Sequence, residues 1–367
     1  MDLLDHRACY RALQSRDARF DGHVFVACTS TGIYCRPICP TRPPRFENCR
    51  FFASAAAAQE AGFRPCLRCR PEIAPDLAFW RGTANTVSRA LALIADGALD
   101  GEHSDVEALA GRLGVGSRQL RRLFQRHLGA SPIAVAQTRR VLFAKQLLHD
   151  TRLPMGEVAL ASGFSSVRRF NDAFRKLFRR PPSALRRKSV DRSAHDGARN
   201  GARDGVTLRL AYRPPYDWSG MLSALSSRAT PGTEWIDKDV WHRSIDVDGK
   251  RSSVAVAHLP ERNSVLVTIR FPSARFPSVR ALPTIVARIR RVFDLGADIA
   301  TIDRHLARDP KLAPLIRKRP GLRAPGDWES ETMPGKTVLG AQANVPPAWR
   351  PWHAYAAQHL RMANHGG

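Results

Sequence analysis

Seven cysteines crowd into the first 69 residues of the chain: Cys9, Cys28, Cys35, Cys39, Cys49, Cys66 and Cys69. Two closely spaced pairs stand out, Cys35-Arg-Pro-Ile-Cys39 and Cys66-Leu-Arg-Cys69. Two knuckles of this kind can place four sulfurs tetrahedrally around one zinc ion. The opening Met1-Asp2-Leu3-Leu4-Asp5 has neither the basic nor the apolar segment of a secretion signal, so metal binding is expected rather than a disulfide framework, with the cytoplasm as the expected compartment. Such a site has two chemical readings: a staple for a small domain, the commoner role for an arbitrary four-cysteine site, or a thiolate kept ionised and nucleophilic at neutral pH. Cys9 lies in Cys9-Tyr-Arg-Ala-Leu13, the pattern of a short amphipathic helix, and is expected in a core. Cys28 and Cys49 are expected on or beside short strands near the metal.

The charge lies elsewhere. The 367 residues carry a formal +25, and a soluble chain this basic points to a polyanionic partner, nucleic acid before membrane. Length predicts roughly two to three domains. Residues 1–79 hold +3, residues 80–188 hold +12 and residues 206–367 hold +10. Residues 189–205, poor in large apolar side chains and containing several glycines, are expected to be a linker. No stretch reaches the 18 or so apolar residues of a membrane span.

The most basic block contains a repeat. Asp105-Val-Glu-Ala-Leu-Ala-Gly-Arg-Leu113 predicts a helix capped by Ser104 or Asp105, Gly114-Val-Gly116 breaks it, and Ser117-Arg-Gln-Leu-Arg-Arg-Leu-Phe124 opens a second helix. The plan returns as Gly156-Glu-Val-Ala-Leu-Ala-Ser162, Gly163-Phe164 and Ser165-Ser-Val-Arg-Arg-Phe-Asn-Asp-Ala-Phe174. Leu120 and Phe170, Phe124 and Phe174, and Pro132 and Pro182 all match at one offset, so two helix-turn-helix units are expected, joined by a long helix over residues 133–149. Held rigidly, their second helices can enter successive major grooves about 34 Å apart from a single chain. The candidate contacts are Ser117, Arg118, Gln119, Arg121 and Arg122 in the first unit, and Ser165, Ser166, Arg168, Arg169 and Asn171 in the second.

From Val206 the pattern changes to strands, at 206–212, 254–258 and 264–269, followed by a helix over 279–293. The expected fold class is therefore multidomain: a small α/β zinc domain, an all-α double helix-turn-helix domain, and an α+β antiparallel-sheet domain.

Three resemblances follow from these motifs. Phe20-Asp-Gly22, Thr31-Gly-Ile-Tyr-Cys-Arg-Pro-Ile-Cys39, Arg45-Phe-Glu-Asn-Cys49 and Ala61-Gly-Phe-Arg-Pro-Cys-Leu-Arg-Cys69 resemble the Ada family of methyl-phosphotriester repair proteins. The resemblance implies Zn2+ held by Cys35, Cys39, Cys66 and Cys69, with Cys35 also the nucleophile that accepts a methyl group irreversibly. The repeat, with its closing Phe178-Arg-Arg-Pro-Pro-Ser183, is similar to the DNA-binding domain of AraC-family regulators. Tyr212-Arg-Pro-Pro-Tyr-Asp-Trp218, Phe293-Asp-Leu295 and Arg319-Pro-Gly-Leu-Arg-Ala-Pro-Gly326 resemble the N-terminal domain of AlkA-type 3-methyladenine DNA glycosylases. In that family a helical catalytic domain follows. Here Asp327-Trp-Glu329 is succeeded within few residues by a segment, 344–360, that looks like the family's last helix, so residues 327–367 are expected to be a remnant without glycosylase activity. No Pro-Cys-His-Arg motif of a guanine-repairing methyltransferase occurs. The expected domains are thus 1–79, 80–188 and 206–326, with the remnant at the end. The expected partners are double-stranded DNA, through methylated phosphates and promoter sites, and RNA polymerase; action as a monomer on DNA and no membrane contact are also expected. Two alternatives stand beside this reading: an AraC-type regulator with a purely structural zinc, and a glycosylase with fused regulatory domains.

Overall fold

The computed structural model describes residues 5–75, 85–100, 105–186, 205–271, 278–329, 346–349 and 352–364. Helix α1 (His6–Gln14) starts at Asp5, whose carboxylate accepts from the Arg7 and Ala8 amides. Strands β1 (Phe25–Cys28), β2 (Ile33–Cys35) and β3 (Cys49–Phe52) follow, then helix α2 (Ala55–Glu60) and the short strand β4 (Arg64–Pro65). They form one sheet in the order β3-β1-β2-β4. Its alternation fills two small cores: Val26 and Phe51 pack with Cys9 and Leu13 of α1, while Phe25, Ala27 and Tyr34 pack with Ala58 of α2. Cys9 is thus in a core, and Cys28 and Cys49 sit opposite each other on β1 and β3.

The next helices are α3 (Asn85–Ala95), α4 (Val106–Arg112), α5 (Ser117–Leu128), α6 (Pro132–Asp150), α7 (Met155–Ala161) and α8 (Val167–Phe178). Asp105 caps α4 and Ser166 caps α8, whereas Gly116 precedes α5 without a side-chain cap. The repeat is a repeat of packing: Leu120 and Phe124 fill the first unit as Phe170 and Phe174 fill the second, all four completely buried. Gly114 and Gly163 both take positive φ where the first helix of each unit turns into the second. Ser165 lies before α8 rather than within it.

The third block begins at Gly205, the last residue of the expected linker; the rest of that linker, 189–204, lies outside the described residues. Strand β5 (Gly205–Ala211) leads through Tyr212–Asp217 to helix α9 (Trp218–Ser226), then to β6 (Glu234–Asp237), β7 (Val240–Val247), β8 (Lys250–Leu259) and β9 (Ser264–Arg270). The antiparallel sheet runs β5-β9-β8-β7-β6. Sequence patterning misses β6 and β7 because Trp235, a large apolar side chain left exposed, and Arg243, a charge on the face of Trp241 and Ile245, interrupt the alternation. Their hairpin is closed by Lys238 and Asp239, both at positive φ. The helix expected over 279–293 is divided: a 3-10 turn, Ser278–Ala281, precedes α10 (Leu282–Val292), with Pro283 in its first turn.

Helices α11 (Ile299–Leu306) and α12 (Ala313–Lys318) pack with the last helix, α13 (His353–Asn364), around Ile302, Leu312 and Tyr355. Tyr355 donates to the buried Asp294 carboxylate at 2.7 Å. The final helix therefore docks on the third block, and Trp328 packs in that block's main core. Residues 330–345, between them, lie outside the described residues. Among the described residues, no helix is long and apolar enough to cross a membrane.

Candidate metal centre and nucleic-acid interface

Strands β2 and β4 pair in parallel, with Ile33 opposite Arg64 and Tyr34 opposite Pro65. The Cys66 amide donates to the Tyr34 carbonyl at 3.0 Å, so Cys35, the last residue of β2, and Cys66, just past β4, come side by side. A turn closed by Cys39 N–H to Arg36 O at 3.1 Å returns Cys39 to the same place, and the second knuckle brings Cys69. The four sulfurs lie within 4.8 Å of one another. Tetrahedral zinc with Zn–S bonds of about 2.3 Å requires sulfurs about 3.8 Å apart, which this cluster accommodates. Crowding drives the thiols apart: the neighbouring sulfurs push Cys35 well above its ordinary range and Cys39 well below it. The bare cluster cannot ionise four thiols at neutral pH; a divalent cation relieves that repulsion, and Zn2+ fits the donor set.

The sulfurs are not equivalent. Cys39, Cys66 and Cys69 are 2%, 5% and 7% exposed, while Cys35 is half-buried. The Arg36 amide donates to Cys69 Sγ at 3.4 Å and the Arg68 amide to Cys66 Sγ at 3.3 Å. The Thr41 hydroxyl lies 2.9 Å from Cys39 Sγ. Among the described residues no amide or hydroxyl donates to Cys35 Sγ.

Buried charges support both knuckles. Arg36, 4% exposed, reaches Asp21 through Nε at 2.8 Å and the Cys69 carbonyl at 3.1 Å. Lys145 of α6 donates to the Cys66 carbonyl at 3.2 Å and pairs with Glu72, both side chains fully buried. Glu72 also accepts from Arg70 Nε at 3.0 Å, and Arg70 reaches Asp150 at 2.8 Å. Arg70 takes a left-handed φ of 55°, a strained conformation for a side-chain-bearing residue, and these two carboxylates hold it there. Sequence reading missed Lys145, Glu72 and Arg70 as parts of the site. One signal was available: Lys145 is a cation inside the apolar run Val141–Leu148.

On the basic block, Arg118, Gln119, Arg121 and Arg122 are exposed on α5, with Ser117 half-buried at its start. Ser165, Ser166, Arg168 and Arg169 are exposed at the start of α8, and Asn171 is half-buried one turn on. The structure thus gathers the candidates at the N-terminal ends of the two second helices. Arg121 is tied to Glu107 at 3.0 Å and Arg122 to Gln119 at 2.7 Å, whereas Arg118 and Arg168 make no ion pair among the described residues. Arg139 and Arg140, also basic and in this block, bond to the carbonyls of Ile94 and Leu99 and belong to the packing.

Comparison with known proteins joins these parts. Residues 8–72 match the metal-binding domain of Ada, residues 109–188 a helix-turn-helix domain and residues 207–329 the AlkA N-terminal domain. A probable bifunctional transcriptional activator/DNA repair enzyme AlkA of Mycobacterium tuberculosis is 40% identical over 94% of this chain and 67% of its own length. The bifunctional transcriptional activator/DNA repair enzyme AdaA of Bacillus subtilis is 28% identical over 51% of this chain and 86% of its own. A solved methylated N-Ada/DNA complex aligns with 36% of this chain and 96% of its own at 34% identity, with a TM-score of 0.19. With a four-cysteine zinc site, a duplicated helix-turn-helix and an AlkA-type N-terminal domain in one chain, this protein belongs to the family of bifunctional Ada/AlkA-type transcriptional activators and DNA repair enzymes.

Proposed function

We propose that this protein repairs methylated DNA phosphates by moving the methyl group irreversibly onto Cys35, and that it couples repair to transcription through its two helix-turn-helix units. The inequality of the four sulfurs carries the reading. Hydrogen bonds to a thiolate stabilise the charged form and lower its nucleophilicity, and burial blocks approach; Cys39, Cys66 and Cys69 have both restraints, whereas Cys35 is only half-buried and takes no amide or hydroxyl hydrogen bond among the described residues. Bound zinc supplies a thiolate at neutral pH. The lone pair on Cys35 Sγ forms a bond to the methyl carbon, the carbon–oxygen bond of the phosphotriester breaks, and its electron pair leaves with the phosphodiester anion. No proton moves. A neutral triester is repelled by the anionic cluster less than its diester neighbours are, which favours encounter at the lesion. The product is a thioether, so each protein molecule acts once.

The arrangement of α5 and α8 on one chain supports binding of double-stranded DNA by a monomer, with RNA polymerase as the further partner of an activator. Base excision is not part of the reading, because the residues between Glu329 and Pro346 are too few for a helical domain that encloses a flipped base. Zinc-loaded protein is to be incubated with a duplex carrying one methyl phosphotriester and digested for mass spectrometry. The peptide containing Cys35 gains one methyl group; Cys35→Ser gains none, and Cys49→Ser still reacts at Cys35. A wild-type protein that holds zinc yet leaves the triester intact refutes repair and leaves a structural zinc. Release of 3-methyladenine from alkylated DNA would restore the glycosylase alternative.

A further inference from the structure

Strand β5 alternates between two environments. Val206, Leu208 and Leu210 are buried in the core of the third block, which places Thr207, Arg209 and Ala211 on the other face, toward the 3-10 turn Pro71–Ile73 and α6. Gln146 of α6 fixes the strand there, donating to the Arg209 carbonyl at 3.0 Å. Between β5 and the second cysteine knuckle lies an open cavity of about 180 Å³ whose wall includes Arg36, Arg68, Cys69, Arg70, Arg209 and Arg262.

The charges in this wall do not balance. Arg36 is matched by Asp21, and Arg70 by Glu72 and Asp150. Asp150 is the carboxylate facing Arg209, and it is already engaged by Arg70. Arg68, Arg209 and Arg262 have no ion-pair partner among the described residues, and Arg209 faces Arg36, Arg70 and Arg262. Like charges gathered at a cleft repel one another until an anion enters, and guanidinium groups converging from separate chain segments suit the oxygens of a phosphate.

We propose that this cleft is a seat for a DNA phosphodiester beside the metal centre, with Arg68 supplied by the zinc module and Arg209 and Arg262 by the AlkA-type module. The assignment of the anion to DNA rests on the repair reading above. In this chain the AlkA-type module serves to hold the damaged strand against the methyl acceptor, a role independent of base excision. The three arginines offset the negative cluster next to them, so phosphates flanking a lesion approach without net repulsion.

The test uses the full-length, zinc-loaded protein, its Arg209→Ala/Arg262→Ala variant, Arg209→Lys/Arg262→Lys as a check on folding, and Arg317→Ala on the exposed face of α12 as a control. Affinity for an undamaged duplex is measured against salt, and methyl transfer from a triester duplex is timed at subsaturating DNA. The alanine pair is expected to bind about tenfold more weakly at fixed salt, with the log–log salt slope reduced by about 1 to 2, and to transfer proportionally more slowly. The lysine pair keeps most of the slope, and Arg317→Ala matches wild type. Unchanged slope and affinity in the alanine pair, with wild type transferring methyl normally, overturn the seat. If wild type transfers nothing, the repair reading fails, while the slope still decides the cleft. Inorganic phosphate is titrated without DNA: protection of wild type but not of the alanine pair, together with an unchanged DNA slope, assigns the cleft to free phosphate and overturns the DNA assignment.

Discussion

Glu72 carries the counter-charge for both Arg70 and Lys145 in a place with no access to water. Burial opposes its ionisation, but Lys145 and Arg70 outweigh burial and hold the carboxyl below its ordinary value. A carboxylate whose folded pKa is depressed adds stability above its unfolded value, near 4.5, and loses it as pH falls through the lower folded value. Glu72→Gln is therefore expected to cost about 3–5 kcal/mol in denaturant unfolding at neutral pH, because the buried Lys145 loses its carboxylate partner and Arg70 keeps only Asp150. The variant should also lose less stability than wild type as pH falls from about 4.5 through the lower folded value, the window in which the contribution of Glu72 is lost. Adding Lys145→Met to Glu72→Gln should recover part of the loss, and a double variant no better than the single one would remove the pair from this account. The cysteine knuckles are legible in sequence because their spacing is local. The Glu72–Lys145 pair spans 73 residues, and no periodicity reports a partner at that distance.

Helix α6 has 19 residues and extends about 28 Å, comparable with one turn of duplex DNA. Its ends are fixed: Ser131 caps the start, and Lys145, Gln146 and Asp150 anchor the finish. These anchors tie α6 to the zinc and sheet modules, and α6 itself joins the two helix-turn-helix units. Arg118 and Arg168, at corresponding exposed positions, are expected to act together: the Arg118→Ala/Arg168→Ala variant should weaken duplex binding at least tenfold while leaving the rate of methyl transfer at saturating DNA unchanged. Equal affinity of variant and wild type, measured by fluorescence anisotropy at fixed salt, would remove both arginines from the interface. At this scale the sequence is most readable where it repeats, since Leu120 with Phe170 and Phe124 with Phe174 mark the same core positions twice. It is least readable in β6 and β7, where cross-strand partners such as Trp235 and His242, stacked at 5.1 Å, replace alternation as the organising contact.

The molecule as a whole places a four-cysteine metal centre beside three arginines that have no ion-pair partner among the described residues, in one chain with two helix-turn-helix units. Methylation of Cys35 removes one negative charge from that centre, so the same surface becomes more favourable to phosphates. Protein methylated at Cys35 is accordingly expected to bind a duplex more tightly than unmethylated protein at equal salt, with the difference shrinking as salt is raised. Identical binding curves before and after transfer would exclude an electrostatic switch. The motifs of all three modules are visible in the sequence, but their mutual contacts are not, because they join residues far apart along the chain, such as Gln59 with Thr138, Ser54 with Leu128 and Lys145 with Glu72, and an apolar core shared by the second helix-turn-helix unit and the sheet module.

Helix α6 gives those contacts a consequence for how the chain can be taken apart. It lends a threonine and a lysine to the zinc module, a glutamine to the sheet module and its apolar faces to both helix-turn-helix units. Excising any one module would strand a buried charge or an unmet carbonyl on those that remain. The places where motifs end are thus poor places to cut, and the order of the modules cannot be permuted without rebuilding this one helix.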